Sequence, residues 1–245
     1  SIDLNIKKSS NVEENARKRR YNSLKSCLQK NEILCTAHHQ DDQAETLLLQ
    51  LFRGSGVAGL ASMPKLKRFG DSYLYRPLLN ISKKEIIEYA QKNQLKWVED
   101  DSNDNTQFKR NLLRLELIPK LKLSFDSVIK NISRSANHQA DALKLIHDLA
   151  EIDIKEFKLI VNNKIQVSPL IKLPSRRIIN VLRLYINQIG FLMPSNKVLN
   201  ELVSVMHAKR DAQVILKWHC YEVRRYNGEL YFFDTEAVDA KLECP

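Results

Sequence analysis

The sequence lacks the features that mark membrane proteins, secreted proteins and the common dinucleotide-binding proteins. It has no apolar run of the roughly 18 residues that a membrane-spanning helix needs. Its first segment, Ser1 to Ser10, has no apolar core, so we expect no signal peptide. Only six glycines occur, and the nearest approach to a GxGxxG pattern, Gly54 to Gly59, follows a predicted helix instead of a strand. The dinucleotide-binding interpretation therefore fails.

The cysteines and the charge balance indicate a reducing compartment and a polyanionic partner. The four cysteines form no CxxC pair, so we expect reduced, buried thiols in a cytoplasmic protein, with neither disulfides nor zinc: Cys27, Cys35, Cys220 and Cys244. Apolar residues make up 43% of the 245 residues, which excludes a disordered chain. Lys and Arg number 39 against 29 Asp and Glu, and the net charge of +10 favours nucleic acid first and a membrane surface second.

Residues 1–123 are predicted to form an α/β domain. Strands and helices alternate along this part of the chain, and the small number of strands indicates the latter part of a parallel-sheet domain. The capping box Ser82 to Glu85 begins one of the helices. The predicted elements are a basic helix over 12–30, a strand over 32–37, a helix over 41–52, a strand over 73–79, and helices over 82–93 and 108–117.

Residues 124–245 are predicted to form a smaller, mainly helical domain with a β-hairpin and a meander. A long helix over 124–152 comes first, and Asn162-Asn163 marks a hairpin turn. The turn signal Asn227-Gly228 joins two of three short strands. Two amphipathic helices, over 174–189 and 195–207, complete the set.

The stretch from Ala37 to Thr46 combines a strand end, a polar turn and a helix start. Ligands of open α/β sheets bind outside the carboxyl ends of the strands. Asp42 and Glu45 lie three residues apart and share one helical face, while Leu48, Leu51 and Phe52 are expected to face the sheet. Two carboxylates facing a crevice suit an ammonium group, a metal ion or general-base work.

Two alternatives compete for these acids. Asp41 or Asp42 can simply cap the helix, because acids are favoured in a first helical turn. The pattern of His38, Asp41 and Asp42 also resembles a metal-dependent phosphohydrolase, although the other histidines lack paired ligand spacing. We expect no metal ligated by the protein.

Basic motifs supply candidate anion-binding residues. Arg53 precedes Gly54 at the end of a predicted helix, where phosphate binding and a plain helix cap are equally favoured. The segment Phe108 to Arg114 follows the acidic stretch Glu99 to Asp104, and its polar residues suit phosphates or a base edge as well as a solvated face: Lys109, Arg110, Asn111 and Arg114. The run Arg17 to Arg20 and the later basic pairs suit an RNA surface, or again a solvated one.

Five of these motifs, in this order, resemble the tRNA(Ile)-lysidine synthases of the PP-loop ATP pyrophosphatase group. The matching stretches are Ala16-Arg17…Arg20-Tyr21, Ala37-His38-His39…Asp41-Asp42-Gln43…Glu45-Thr46, Arg53-Gly54-Ser55-Gly56…Gly59-Leu60, Arg76-Pro77-Leu78-Leu79 and Asp101-Ser102-Asn103…Arg110-Asn111…Arg114. The resemblance implies a PP-loop (adenine nucleotide α-hydrolase-like) domain followed by a tRNA-binding domain. It also implies a reaction: ATP adenylates C2 of the wobble cytidine in a CAU anticodon, lysine attacks, AMP leaves, and decoding changes from AUG to AUA.

The resemblance implies roles for individual residues. Asp42 and Glu45 would hold the amines of lysine, and Arg17 would hold anionic groups of lysine or ATP. The remaining substrate-binding candidates are His38, His39, Asp41, Arg53, Arg110, Asn111 and Arg114. The tRNA-binding candidates are Arg19, Arg20, Arg176, Arg177, Arg224 and Arg225. ATP with Mg²⁺, free L-lysine and a CAU-anticodon tRNA(Ile) are the expected ligands, with no membrane and a possible homodimer.

Two departures from the family pattern bear on activity. The family's ATP loop, Ser-Gly-Gly-x-Asp-Ser, is absent and is expected upstream of Ser1, and no further C-terminal domain is evident before Pro245. We therefore expect this chain alone to be inactive. The alternatives are a PP-loop enzyme that thiolates tRNA, which the lack of CxxC disfavours, and a tRNA-binding protein without catalysis.

Overall fold

The structure is a computed structural model that describes residues 12–29, 32–98, 109–206 and 214–236; the side chains of 12–18 and 214 lie outside that description. The chain divides into two compact units, Ser1–Leu143 and Lys144–Pro245, and the division falls inside a long helix. The sequence predicts a boundary at 123/124, and that domain division stays a prediction.

The first unit contains a three-stranded sheet with helices that follow its strands. Strand β1 pairs with β3 in parallel, with Leu34 opposite Leu74, and β2 pairs with β3 in the antiparallel direction. Its elements are α1 (Val12–Cys27), β1 (Ile33–Cys35), α2 (Gln40–Phe52), α3 (Val57–Leu60), β2 (Leu66–Phe69), β3 (Ser72–Tyr75), α4 (Lys83–Lys92), α5 (Lys109–Leu112), a π-helical segment (Leu113–Leu117), α6 (Ile118–Ser124) and the first part of α7 (Val128–Glu156).

The core of the first unit joins α2 to the helices after residue 109. Ala44 and Leu48 of α2 pack with Leu113, Ile118 and Ile129. The expectation that Leu51 and Phe52 also face the core is wrong, because their side chains are 51% and 64% exposed. The buried residues of α2 all lie within its first ten residues, and its last turn extends beyond the core.

The second unit contains a five-stranded antiparallel sheet in the order β4-β5-β8-β7-β6. Its core is formed where α9 and α10 pack on one sheet face, with Leu182, Met206 and Leu230 almost fully buried. The elements after α7 are β4 (Ile160–Val161), β5 (Lys164–Gln166), α8 (Val167–Leu170), α9 (Ser175–Gln188), α10 (Asn196–Met206), β6 (Val214–Trp218), β7 (Tyr221–Tyr226) and β8 (Glu229–Asp234).

Both predicted asparagine turns are confirmed. Asn162 and Asn163 have φ of +49° and +58°, and Asn227 and Gly228 have φ of +47° and +77°, which is the conformation that tight hairpins need. The sequence did not predict that hairpin and meander form one sheet. They join because β5 pairs with β8, with Ile165 opposite Leu230.

The secondary structure differs from the predictions at two other places. Strand β2 was not predicted, because its centre is basic and exposed and its pairing depends on the turn at Gly70, where φ is +64°. The strand predicted over 73–79 ends at Tyr75, since the next residues form a turn that contains Pro77.

The expectation of buried thiols is wrong for the described cysteines. Cys27 and Cys35 are exposed, Cys220 is half-buried, and all three are free thiols. Cys35 shares one face of β1 with Ile33, and both residues on that face are exposed. Cys244 lies outside the described residues.

Gln43 attaches α2 to the loop before β2. Its amide Nε2 donates to the Met63 carbonyl at 3.1 Å, its Oε1 accepts the Met63 N–H at 3.0 Å, and the residue is 2% exposed. Replacing Gln43 by Leu leaves two buried backbone groups unpaired, so we expect a loss of about 2 to 4 kcal/mol of unfolding free energy. Urea denaturation measures this loss. Gln91→Leu, on the exposed face of α4, is the matched control, and equal losses in both variants would contradict the prediction.

Candidate functional site

The site is built where β1 and β3 end and α2 begins. Thr36 N–H donates to the Tyr75 carbonyl at 3.0 Å, which extends the parallel pairing by one residue. Gln40 N–H then donates to the Ile81 carbonyl at 2.9 Å, so the first turn of α2 is fixed against the segment after β3. The Thr36 hydroxyl lies 2.8 Å from Nδ1 of His38. These contacts place residues 38–45 outside the carboxyl ends of two parallel strands, as predicted.

Asp41 and Asp42 both make structural hydrogen bonds. Asp42 Oδ2 accepts the His39 N–H at 3.0 Å, which caps α2, and the His39 Nε2 atom lies 3.4 Å from the same oxygen. Asp41 Oδ2 accepts the Lys83 N–H at 2.9 Å and so connects α2 to the first turn of α4. The N-cap of α2 is therefore His39, and Asp42 is the third helical residue of a capping box, so neither aspartate is itself the N-cap.

Glu45 is the centre of an ion-pair cluster, which we call the carboxylate–guanidinium cluster: Asp42, Glu45, Arg110 and Arg114. Arg110 Nε donates to Glu45 Oε2 at 2.6 Å, and Arg114 Nε donates to Glu45 Oε1 at 2.8 Å. Arg114 Nη2 adds a bond to Glu45 Oε2 at 3.0 Å. Arg110 Nη2 donates to Asp42 Oδ1 at 2.8 Å. Both oxygens of Glu45 are therefore used.

The two arginines reach one carboxylate because of the helix that carries them. Arg110 lies in α5, and Arg114 lies in the π-helical segment that follows without a break. Residues four apart share a helical face, and π-helical turns recur at functional sites. Asn111, also predicted to bind substrate, lies between them in the sequence, and its side chain is buried.

The cluster balances its charge internally. Two carboxylates face two guanidiniums, and the hydrogen bonds to Glu45 raise the pKa of Arg114, so that this side chain stays cationic. The Glu45 side chain is 2% exposed, Asp42 is 12% exposed and Asp41 is 20% exposed. An incoming ammonium group therefore meets Asp41 and Asp42 first, and reaches Glu45 only if a guanidinium moves.

Other predicted residues are not brought into the cluster by any described contact. Arg53 lies at the far end of α2 and is exposed, and Arg19 and Arg20 are exposed on α1. The side chain of Arg17 lies outside the described residues. Among the described residues, no three His, Cys, Asp or Glu side chains are grouped as metal ligands. Gln43 was missed, although a lone glutamine on the buried face of an amphipathic helix could have signalled a polar attachment.

In the basic pairs of the second unit, the two neighbouring arginines have different surroundings. Arg176 is exposed, whereas Arg177 forms a two-point ion pair with the fully buried Asp153 of α7. Arg224 is exposed, and its Nε also donates to the buried Glu222 Oε1 at 2.6 Å, whereas Arg225 donates to the Val205 carbonyl at 3.0 Å. Neighbouring residues on a helix or strand point in different directions, so a basic pair does not form one surface.

Comparisons with known proteins agree with the two-part organisation. A PP-loop domain model matches residues 1–121, and a TilS substrate binding domain model matches residues 166–231. The tRNA(Ile)-lysidine synthase of Coxiella burnetii (strain RSA 493 / Nine Mile phase I) is 42% identical over all of this chain and 54% of its own length. That of Legionella pneumophila (strain Lens) is 38% identical over 96% of this chain and 55% of its own length. The enzyme of the same name from Photorhabdus laumondii is 41% identical over 90% of this chain and 50% of its own length.

The chain thus spans about half the length of the curated relatives it matches. None of the helices in the described residues is long and apolar enough to cross a membrane.

Replacing Glu45 tests whether it anchors the two arginines. Glu45→Leu leaves Arg110 and Arg114 without their shared acceptor, so we expect a loss of about 2 to 3 kcal/mol of unfolding free energy. Urea denaturation measures it, with Glu116→Leu on the exposed side of the neighbouring helix as the control. Unchanged stability in Glu45→Leu would show that the cluster contributes nothing to the fold.

Replacing Arg176 and Arg177 separately tests whether the exposed arginine binds RNA and the ion-paired arginine stabilises the fold. Hydrogen bonds to Asp153 raise the pKa of Arg177, and its removal leaves a buried carboxylate unpaired. We expect Arg177→Ala to lower the melting temperature by several degrees, and Arg176→Ala to leave it unchanged while weakening RNA binding. Thermal melts and filter binding measure the two effects. A reversed order of the melting temperatures would refute the assignment.

Proposed function

Because this chain belongs to the tRNA(Ile)-lysidine synthase family, we propose that it serves the ATP-dependent ligation of lysine to C2 of the wobble cytidine in a CAU-anticodon tRNA(Ile). ATP would activate the C2 oxygen, the side-chain amine of lysine would attack C2, and AMP and pyrophosphate would leave. The product is lysidine, which pairs with A instead of G and so changes decoding from AUG to AUA. The carboxylate–guanidinium cluster is the observation that supports this proposal.

Asp42 is the proposed lysine-binding acid. Its side chain lies at the accessible edge of the cluster beside Asp41, and the two carboxylates present negative charge outside the strand ends. A substrate ammonium group bound there is held by charge-assisted hydrogen bonds. Deprotonation of the attacking amine then needs a nearby base, and a carboxylate of this edge suits that role.

Glu45 acts differently in this proposal. Both of its oxygens already accept hydrogen bonds from arginines, so it positions Arg110 and Arg114 and meets lysine only if one of them moves. The arginines keep N–H groups that Glu45 and Asp42 do not use, and their side chains are 20% and 28% exposed. Those donors suit the carboxylate of lysine or a phosphate.

The remaining parts of the proposal concern Mg²⁺, the contacts to tRNA, the compartment and the oligomeric state. Mg²⁺ would arrive with ATP. The exposed arginines Arg19, Arg20, Arg176 and Arg224 are the proposed contacts to tRNA. Free thiols agree with a cytoplasmic enzyme. A homodimer stays a prediction.

Lysine transfer tests the reaction and the acid together. The complete gene product and the 245-residue chain are each incubated with ATP, labelled lysine and a CAU-anticodon tRNA(Ile) transcript. We expect labelled tRNA from the complete gene product, and Asp42→Asn should lower its kcat/KM for lysine about 10- to 100-fold through the lost charge-assisted bonds.

Asp71→Asn, an exposed acid in the β2–β3 turn, is the matched control and should leave transfer unchanged. Tight tRNA binding without lysine transfer would contradict the proposed reaction and favour a binding role. Sulfur in the modified tRNA, measured by mass spectrometry, would favour the thiolation alternative.

A further inference from the structure

An apolar groove lies between the last turns of α2 and the helices α5 and α6. Its volume is about 430 Å³, within the range of small-ligand sites. Leu49, Leu113, Leu117 and Phe52 line it, and Phe52 is 64% exposed. This is the part of α2 that was expected to pack in the core and instead projects beyond it.

Three cations surround the groove. Arg53, Lys109 and Lys120 line it together with one acid, Glu116. None of these four side chains makes an ion pair or a side-chain hydrogen bond with another residue in the described ranges of the chain. In the carboxylate–guanidinium cluster, by contrast, every cation is matched by an acid. The groove, which we call the basic groove, therefore has a surplus of two positive charges beside an apolar lining.

The basic groove lies on the same helices as the candidate site, nearer the end of α2. Leu49 follows Glu45 by one helical turn, and Leu113 and Leu117 follow Arg110 and Arg114 by about one turn. At a rise of about 1.5 Å per residue, the groove begins roughly 6 Å along α2 from Glu45. The site and the groove are therefore close enough for one RNA strand to contact both.

An unpaired nucleotide matches this surface better than a protein does. A base supplies a flat apolar face for Phe52 and the leucines, and its phosphate supplies the negative charge that the three cations lack. A second copy of this chain, docked symmetrically, would bring the same cations against each other, which costs energy. A duplex would place its backbone on the cations and leave the apolar lining uncovered.

We propose that the basic groove binds one unpaired nucleotide of the tRNA substrate, with its base on Phe52 and its phosphate at Arg53, Lys109 and Lys120. This inference rests on the proposed function, because the RNA that reaches the groove is the RNA held at the site. The groove assigns a role to Arg53 at the end of α2, which the reaction itself leaves unused.

The first test measures the salt dependence of tRNA binding by this chain. Each phosphate contact contributes a slope of about 0.7 to 0.9 in a plot of log K against log salt. The triple variant Arg53→Ala, Lys109→Ala, Lys120→Ala removes the cations around that one phosphate and should therefore reduce the slope by about 0.7 to 0.9. The control triple Lys67→Ala, Lys92→Ala, Lys96→Ala removes the same charge from exposed positions of the same unit and should reduce it less. Equal reductions would overturn the proposal.

The second test measures stacking. Phe52→Ala should weaken tRNA binding about 5- to 100-fold, the range found for the loss of one base–aromatic stack, and Phe52→Tyr should restore it. A transcript carrying 4-thiouridine should crosslink to residues 49–53 or 109–120. Binding that is unaffected by Phe52→Ala, with crosslinks elsewhere only, would overturn the proposal and leave the proposed function intact.

Two further outcomes show whether the groove proposal alone fails or whether the proposed substrate fails with it. If the wild-type chain binds no tRNA at all, both the groove and the proposed substrate are contradicted. If Phe52→Ala changes the molecular mass in solution instead of RNA affinity, the groove is a contact between copies and not an RNA site.

Discussion

One buried carboxylate organises the first unit. Glu45 accepts hydrogen bonds from both Arg110 and Arg114, and in doing so it joins α2 to the helices that begin at residue 109. The apolar contacts of Ala44 and Leu48 with Leu113 lie beside this ion pair. A buried charge is tolerated only when it is fully paired, so the position of the π-helical segment relative to α2 depends on all of these bonds forming together.

The pairing with Arg110 and Arg114 distinguishes Glu45 from Asp42. Asp42 and Glu45 are equivalent in sequence, since both are acids on one helical face. In the structure Glu45 is saturated and enclosed, whereas Asp42 lies at an edge next to the more exposed Asp41. In the proposed reaction, recognition of the ammonium group would therefore begin at Asp41 and Asp42, and Glu45 would support it by fixing the guanidiniums. A site for the proposed substrate lysine needs both an acid that positions cations and an acid that receives a cation, because lysine carries both charges.

The sequence was sufficient for features that depend on local chemistry. The capping box at Ser82, the two asparagine turns and the strand–turn–helix around residues 33–52 are confirmed, because each depends on neighbouring residues alone. The features that failed depend on distant residues. Strand β2 exists only because β3 pairs with it, and Leu51 and Phe52 are exposed because no element covers the last turn of α2. The pairing of Glu45 with Arg110, 65 residues later, has no local signal either.

The net charge of +10 does not by itself show which cations are available at the surface. Arg110, Arg114, Arg177 and Arg224 pair with buried acids, and Arg225 donates to a backbone carbonyl, so five of the predicted anion-binding arginines already have partners within the protein. Arg53, Arg176 and Lys109 have none in the part of the chain that the structure describes. A polyanion binds to the cations that the fold leaves unpaired, and these are separated in space even where they are adjacent in sequence. The proposed binding surface for RNA therefore depends on where the acids lie, because each buried acid removes a cation from that surface.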